Sequence, residues 1–321
     1  MTQANRPRPV SVAIVAYPDS LKSAVYGLEE LFILANRVVG ELGQSICFQP
    51  EVLYFDGDSF ATESLLQTLY QIVILPPGQR SEFYLQPPQA LTEWVQYQAE
   101  NTSGLICSAC AGSFILAASG LLHRKRATTH WAFESLFRRQ FPDVQLDLDQ
   151  ILVAEGSLLT AGGMMSWLDL GFEVISRFTE PGVVPLLGKY LVVDTGRRAQ
   201  SFYRRFRPDL QHGDEVIVSA QEKIAEQFPT LPSVSELAGL VHLGERTLLR
   251  RFEKATGHKP KNYMQRFAIQ KACDLLEESR APFESIARKV GYDDAGACRK
   301  LFVRIMGLTP GEFRQRFRES P

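Results

Sequence analysis

The C-terminal third of this 321-residue chain is written twice. Leu237, Ala238 and Val241 recur as Ile286, Ala287 and Val290 at an offset of 49; after a one-residue insertion, Phe252, Gly257, Pro260, Tyr263 and Arg266 recur as Phe302, Gly307, Pro310, Phe313 and Arg316 at an offset of 50. A repeat of this kind is one supersecondary unit used twice. Whatever the first copy folds into, the second must follow. Each copy reads as helix, tight turn, helix. Ser233-Val234-Ser235-Glu236 is a capping box that opens a helix with Leu237, Ala238 and Val241 inward. The chain turns at His242 to Gly244 and restarts over Glu245 to Thr256, with Leu248 and Phe252 at i, i+4 facing inward and Gly257 as the terminating residue. The second copy turns at Gly291, caps with Asp293 or Asp294, runs to Met306 and stops at Gly307. Thr309-Pro-Gly-Glu312 caps the last helix, and a long helix over Pro260 to Glu278 joins the copies.

Charge separates this region from the rest. The whole chain carries a net charge of -1, but residues 1 to 195 hold 12 Lys+Arg against 20 Asp+Glu, whereas residues 196 to 321 hold 23 against 16. A cationic module joined to an anionic one suits a protein in which only one part meets a polyanion. The cations repeat with the fold: Arg246, Arg250, Arg251 and Lys254, with Leu249 among them, fall on the outer faces of the second helix in copy one, and Arg299, Lys300 and Arg304 on that of copy two. A plain helical bundle has no reason to place cations on the equivalent face twice, and a helix of this width fits the major groove of B-DNA.

SVSELAGLVHLGERTLLRRFEKATGHKPKNYMQRFAIQKACDLLEES and FESIARKVGYDDAGACRKLFVRIMGLTPGEFRQRF together resemble the tandem helix-turn-helix domain of AraC/XylS-type transcription regulators. The resemblance implies double-stranded DNA as partner. It places base-facing positions at Arg246, Leu249 and Arg250 in the first recognition helix and at Ala295, Gly296, Arg299 and Lys300 in the second. Arg251, Lys254 and Arg304 are then expected on phosphates. His242 stands where the family has a turn glycine, a place that a residue tolerant of left-handed backbone can fill.

Residues 1 to about 195 alternate strand-like and helical runs. Strands are expected at Ser11 to Tyr17, Ile46 to Phe55, Gln71 to Leu75, Gly104 to Ser108 and Ile151 to Leu159. Helices are expected near Ala24 to Val39, Gln89 to Glu100, Ala111 to Leu121, Trp131 to Gln140 and Ser166 to Phe178. That order predicts an α/β domain, a doubly wound sheet with helices on both faces. Ligands of such sheets sit outside the carboxyl ends of the strands, here Tyr17-Pro18-Asp19, Pro77-Gly78, Cys110-Ala111 and Thr128-Thr129-His130. Cys110 falls between a strand and a helix, where a sharp turn exposes a thiol at a helix N-terminus and favours thiolate. His130 follows 20 residues later.

ICSACAGSFILAASGLL, RATTHW, LLTAGGMMSWLDLG and RRAQSFYRRFRPDLQHGDEVI resemble the class I glutamine-amidotransferase-like superfamily, of flavodoxin-like architecture and including PfpI-type proteases. They are similar in particular to the GlxA-like arrangement, in which such a domain precedes an AraC-type one. Catalytic members carry an acidic residue after the first strand; the aligned position here is Ala24, with Asp19 a weakly aligned substitute. The resemblance therefore implies a sensor rather than an enzyme, with Gly78, Cys110, Ala111 and His130 in an effector pocket. Two other readings stay open for Cys110 and His130: an inherited structural turn, or a cysteine-dependent hydrolase or amidase.

The expected organisation is a sensor domain over 1–195, an interdomain linker over 196–217 and a DNA-binding domain with two helix-turn-helix units over 218–321. Its partners are DNA, a small-molecule effector, a second copy in a homodimer and, for an activator, RNA polymerase. An effector switch is expected within Arg197 to Asp214 or at the dimer contact. No cofactor or metal is implied, because His212 and Asp214 lack a third ligand at a recognisable spacing. The opening MTQANRPRPV has no apolar run behind its basic residues, and no stretch of 18 apolar residues occurs, so a cytoplasmic protein without membrane contact is expected.

Overall fold

Along the first strand, Arg8–Ala16 (β1), side chains alternate between two cores. Val10, Val12 and Ile14 enter one, Ala13 and Val15 the other. That period of two, with both faces apolar, marks a strand covered on both sides. The computed structural model describes residues 7–62, 67–79, 81–196 and 199–318; Arg197 and Arg198, at the start of the expected switch segment, lie outside them.

The chain continues through α1 (Lys22–Glu41), β2 (Ile46–Tyr54), β3 (Ile72–Leu75), α2 (Ser81–Leu85), α3 (Gln89–Asn101), β4 (Leu105–Ala109) and α4 (Gly112–Ala118). It then forms β5 (Arg126–Ala127), α5 (Glu134–Gln140), β6 (Gln145–Leu146), β7 (Leu152–Glu155), β8 (Leu158–Ala161), α6 (Trp167–Phe178) and α7 (Val183–Leu191). The main sheet runs β2-β1-β3-β4-β8-β7, parallel except for the β7–β8 pair, and β5 pairs with β6 apart from it. Helices α1, α6 and α7 supply the core on one face, and α3, α4 and α5 that on the other. This is the doubly wound α/β architecture.

Several elements differ from expectation, among them α2, β5 and β6, which were not foreseen. The single strand over Ile151 to Leu159 is a hairpin, β7 and β8, reversed at Gly156 with φ 63°. Only a residue without Cβ takes that backbone at little cost. Helix α7 was not foreseen, because VVPLLGKYL is only nine residues long and carries Pro185 and Gly188, both marks of a loop.

Residues 1–200 and 201–321 form separate compact units. The second holds α8 (Glu215–Gln227), α9 (Val234–Leu240), α10 (Glu245–Thr256), α11 (Pro260–Glu278), α12 (Phe283–Lys289), α13 (Ala295–Met306) and α14 (Pro310–Phe317). Both capping boxes form, Ser233 with Glu236 and Thr309 with Glu312, and Asp294 caps α13 by accepting the Gly296 N–H. Tyr263 and Met264, near the start of α11, pack in a core with α8, α9 and α10. Ile269, Ala272, Cys273 and Leu276 pack in a second core with α12, α13 and α14. One helix is thus shared by both repeats. Among the described residues, no helix is long and apolar enough to cross a membrane.

Candidate nucleic-acid interface and candidate effector site

Helix α10 is oriented by Leu248 and Phe252, both fully buried, and ends at Gly257 in left-handed backbone, φ 74°. His242 supplies the preceding turn at φ 54°, and Gly291 does so in the second repeat at φ 88°. With the inward face fixed, Arg246, Leu249, Arg250 and Lys254 are exposed. Together with Glu253 and Lys259 they line a concave surface enclosing about 460 Å³. Arg246, Arg250 and Lys254 have no partner within the protein among the described residues. Lys259 was missed from sequence because it precedes α11 rather than lying on the recognition helix.

Arg251 departs from expectation. It does not point outward with the other cations: its Nε and Nη2 donate to the two carboxylate oxygens of Asp214 at 3.0 and 2.6 Å. The guanidinium holds the Asp214 carboxyl below its ordinary range, and the same carboxylate caps α8 through the Ile217 N–H. The Nε–Nη2 edge of the guanidinium is thus committed to one carboxylate, a pairing that the reading of Arg251 as an outward phosphate contact did not foresee.

On α13, Cys298 and Phe302 are buried, while Gly296, Arg299, Lys300 and Arg304 are exposed and Ala295 is half-buried. Arg299 pairs with Glu284 at 3.0 Å and lies over the Phe283 ring. Arg304 donates to Gln265. The second recognition helix therefore presents Arg299 and Arg304 already engaged, whereas on the first only Arg251 is, among the described residues.

At the carboxyl ends of the strands, Cys110 joins β4 to α4 in left-handed backbone, φ 53°. Its N–H donates to the Ala161 carbonyl and its own carbonyl accepts from the Thr129 hydroxyl, each at 2.7 Å. Gly112 is required because a Cβ there would drive into the Leu75 carbonyl oxygen. The expected sharp turn is present, but its consequence is reversed. Cys110 is 1% exposed, and burial pushes its thiol up to about 12. Desolvation outweighs the helix N-terminus here, so the expected thiolate does not form at neutral pH.

Gly78 and Ala111 are buried with it. A Cβ at Gly78 would press on Tyr17 and Tyr84, and Tyr17 donates its hydroxyl to the Pro76 carbonyl at 2.6 Å. Tyr17 was expected at this end of the sheet; Tyr84, which fills the space beside it, was not anticipated. His130 is half-buried; its Nδ1 accepts the Ala132 N–H at 3.0 Å, and burial lowers its pKa. The imidazole is therefore neutral with its proton on Nε2, and Nε2 has no protein partner among the described residues. A protonated thiol and a neutral imidazole do not make the ion pair that activates a cysteine nucleophile. Buried Gln200 fastens this region: its amide accepts the Trp131 N–H and donates to the Thr129 carbonyl. Ala24 is buried in α1, with no carboxylate at that position. His212 bonds Gln221 at 2.8 Å, and among the described residues no group of three or more His, Cys, Asp or Glu is placed to hold a metal.

Comparison with known proteins agrees with both halves. Residues 51–177 match the DJ-1/PfpI family, and residues 237–316 match a helix-turn-helix domain family. The chain is 25% identical over 251 residues to the HTH-type transcriptional regulator GlxA of Rhizobium meliloti, covering 70% of this chain and 72% of that one. It is 32% identical over 102 residues to a putative AraC-like transcription regulator of Streptomyces antibioticus, a match spanning 32% of this chain and only 34% of that relative. A putative transcriptional regulator from Vibrio parahaemolyticus, of known structure, superposes on 57% of this chain and all of its own with a TM-score of 0.50 at 18% identity, a likeness of fold. The chain thus resembles the DJ-1/PfpI family over 51–177 and a helix-turn-helix domain family over 237–316, and over most of its length it is similar to the regulator GlxA.

Proposed function

We propose that this protein is a sequence-specific, ligand-responsive transcription regulator that lays α10 and α13 in successive major grooves. One observation carries the reading: the exposed cations Arg246, Arg250 and Lys254, without partners among the described residues, surround Leu249 on a helix whose other face is fixed in the core. Arg246 and Arg250 suit guanine edges, Leu249 a thymine methyl, and Lys254 a phosphate. Ala295, Gly296, Arg299 and Lys300 take the corresponding role on α13, with Arg304 at the backbone. The test is selection of duplexes from a random pool by the full chain. Enrichment of one site whose affinity falls steeply with salt is expected; no preference for any duplex overturns the proposal.

The proposal extends to the N-terminal domain, which takes a small metabolite at the turn formed by Gly78, Cys110, Ala111 and His130. Support comes from the unpartnered Nε2–H of His130, a donor held beside apolar walls. The protein acts as a homodimeric activator that contacts RNA polymerase, and its effector works by binding one state of the protein better than the other. Thermal-shift screening of metabolites against wild type and His130→Ala tests this: a stabilising compound that loses its effect in the variant is expected. Equal shifts in both proteins overturn the assignment.

A further inference from the structure

The residues that open the C-terminal unit, 201–214, lie along it as a strap. The Phe202 ring packs over Gly307, where α13 ends, and carries the Arg316 guanidinium on its face. Arg205 pairs with Asp274 of α11 at 3.3 Å, and the Phe206 N–H donates to Gln270 at 2.7 Å. The Phe206 ring meets Tyr263 edge-on at 5.0 Å. Buried Gln221 of α8 then accepts from His212 and donates to the Asp209 carbonyl and the Tyr263 hydroxyl. Donation by Gln221 Nε2 to two oxygens leaves its Oε1 as acceptor, which fixes the His212 proton on Nε2 and leaves Nδ1 to accept the Asp214 N–H. The strap finishes at Asp214, whose carboxylate caps α8 and takes both donors of Arg251 on α10.

We propose that Arg251 is a positioning residue: it touches no DNA, and through Asp214 it ties the first recognition helix to a strap that also seats the end of the second. The geometry supports this over a phosphate contact. The guanidinium is half-buried, its Nε–Nη2 edge is occupied by one carboxylate, that carboxylate also caps α8, and the Asp214 N–H donates to His212 Nδ1. The same helix gives an internal comparison, since Arg246, Arg250 and Lys254 have no such partner among the described residues. Two recognition helices read one site only if their separation is held, and a strap anchored at the end of α13 and in the middle of α10 holds it. This inference rests on the DNA-binding reading.

The experiment uses full-length wild type, Asp214→Asn, Arg251→Met and the double variant, with a selected duplex and a random one over a salt series. Asn retains the cap while removing the charge. Each single variant is expected to bind the selected duplex about tenfold more weakly, with the double variant no weaker than the worse single. Binding to random duplex and the slope of log affinity against log salt should stay at wild-type values, a pattern that general destabilisation does not produce. A slope reduced by about one in Arg251→Met, or tighter binding by Asp214→Asn, identifies a phosphate contact and overturns the proposal. Heat unfolding of the same four proteins without DNA separates this inference from the reading beneath it. If wild type selects no duplex, the DNA reading fails, while non-additive losses of Tm still support the tie and additive losses overturn it.

Discussion

At the scale of single residues, the decisive quantity is what surrounds a reactive group. Cys110 carries the sequence marks of a nucleophile, yet Tyr17 and Tyr84, 93 and 26 positions away, close over it, and no local motif announces them. Arg251 misleads for the same reason: its partner lies 37 residues upstream. Helical period shows which face a residue occupies, but not what an earlier segment brings to that face. The thiol makes a testable statement about pH. Its folded value, about 12, lies above the ordinary 9.0, so the folded state keeps a proton that the unfolded chain releases. Stability from this group is whole below pH 9 and is lost as pH rises from there toward 12. Native Cys110 should therefore resist iodoacetamide at pH 8, and a Cys110→Ala protein should lose less Tm than wild type between pH 9 and 11. Rapid alkylation of the native protein at pH 7 would contradict this burial. On the DNA face, Arg250→Ala is expected to relax sequence preference at a cost of about 1 to 3 kcal/mol, whereas Lys254→Ala weakens selected and random duplexes alike; competition binding distinguishes them.

At the scale of elements, most helices of the second unit are legible because their signals are local, but α8 was not foreseen, since it begins in the stretch read as linker. Glu245–Thr256 and Pro260–Glu278 begin and end where their turn and cap residues stand. The first unit is less legible because its strands are covered on both faces. From Leu152 to Ala161 the reversal is marked by Glu155-Gly156-Ser157, but each strand beside it is only four residues long, too short to show its own period. The turn at His242 offers a direct energetic test. A residue with a Cβ at φ 54° is strained by roughly 1 kcal/mol relative to glycine, and the second repeat already uses Gly291 there. His242→Gly should raise Tm slightly, since relief of that strain exceeds the added entropy of an unfolded glycine. Gly112→Ala should do the opposite and cost more than about 2 kcal/mol, because the new methyl meets backbone, which cannot rotate away. Chemical denaturation of both variants checks the two signs together.

At the scale of the molecule, the duplication determines more than the presence of two similar helices. Helix α11 contributes to both cores of the second unit and has 19 residues, a span of about 28 Å at 1.5 Å per residue. Adjacent turns of one major groove are about 34 Å apart, so a helix of this length joined to two compact repeats has the reach that two successive grooves demand. Because one continuous helix joins the repeats, their spacing cannot adapt to the DNA as it would across a flexible linker. The consequence concerns the operator. Inserting five base pairs between the two halves of a selected site turns the second half to the opposite side of the duplex, and binding should fall to the level of an Arg299→Ala, Lys300→Ala double variant on the unaltered site. Inserting ten restores the facing but adds a full turn that α11 cannot span, so affinity should stay low. Recovery with ten base pairs would mean that the two recognition helices in contact belong to different copies of the chain.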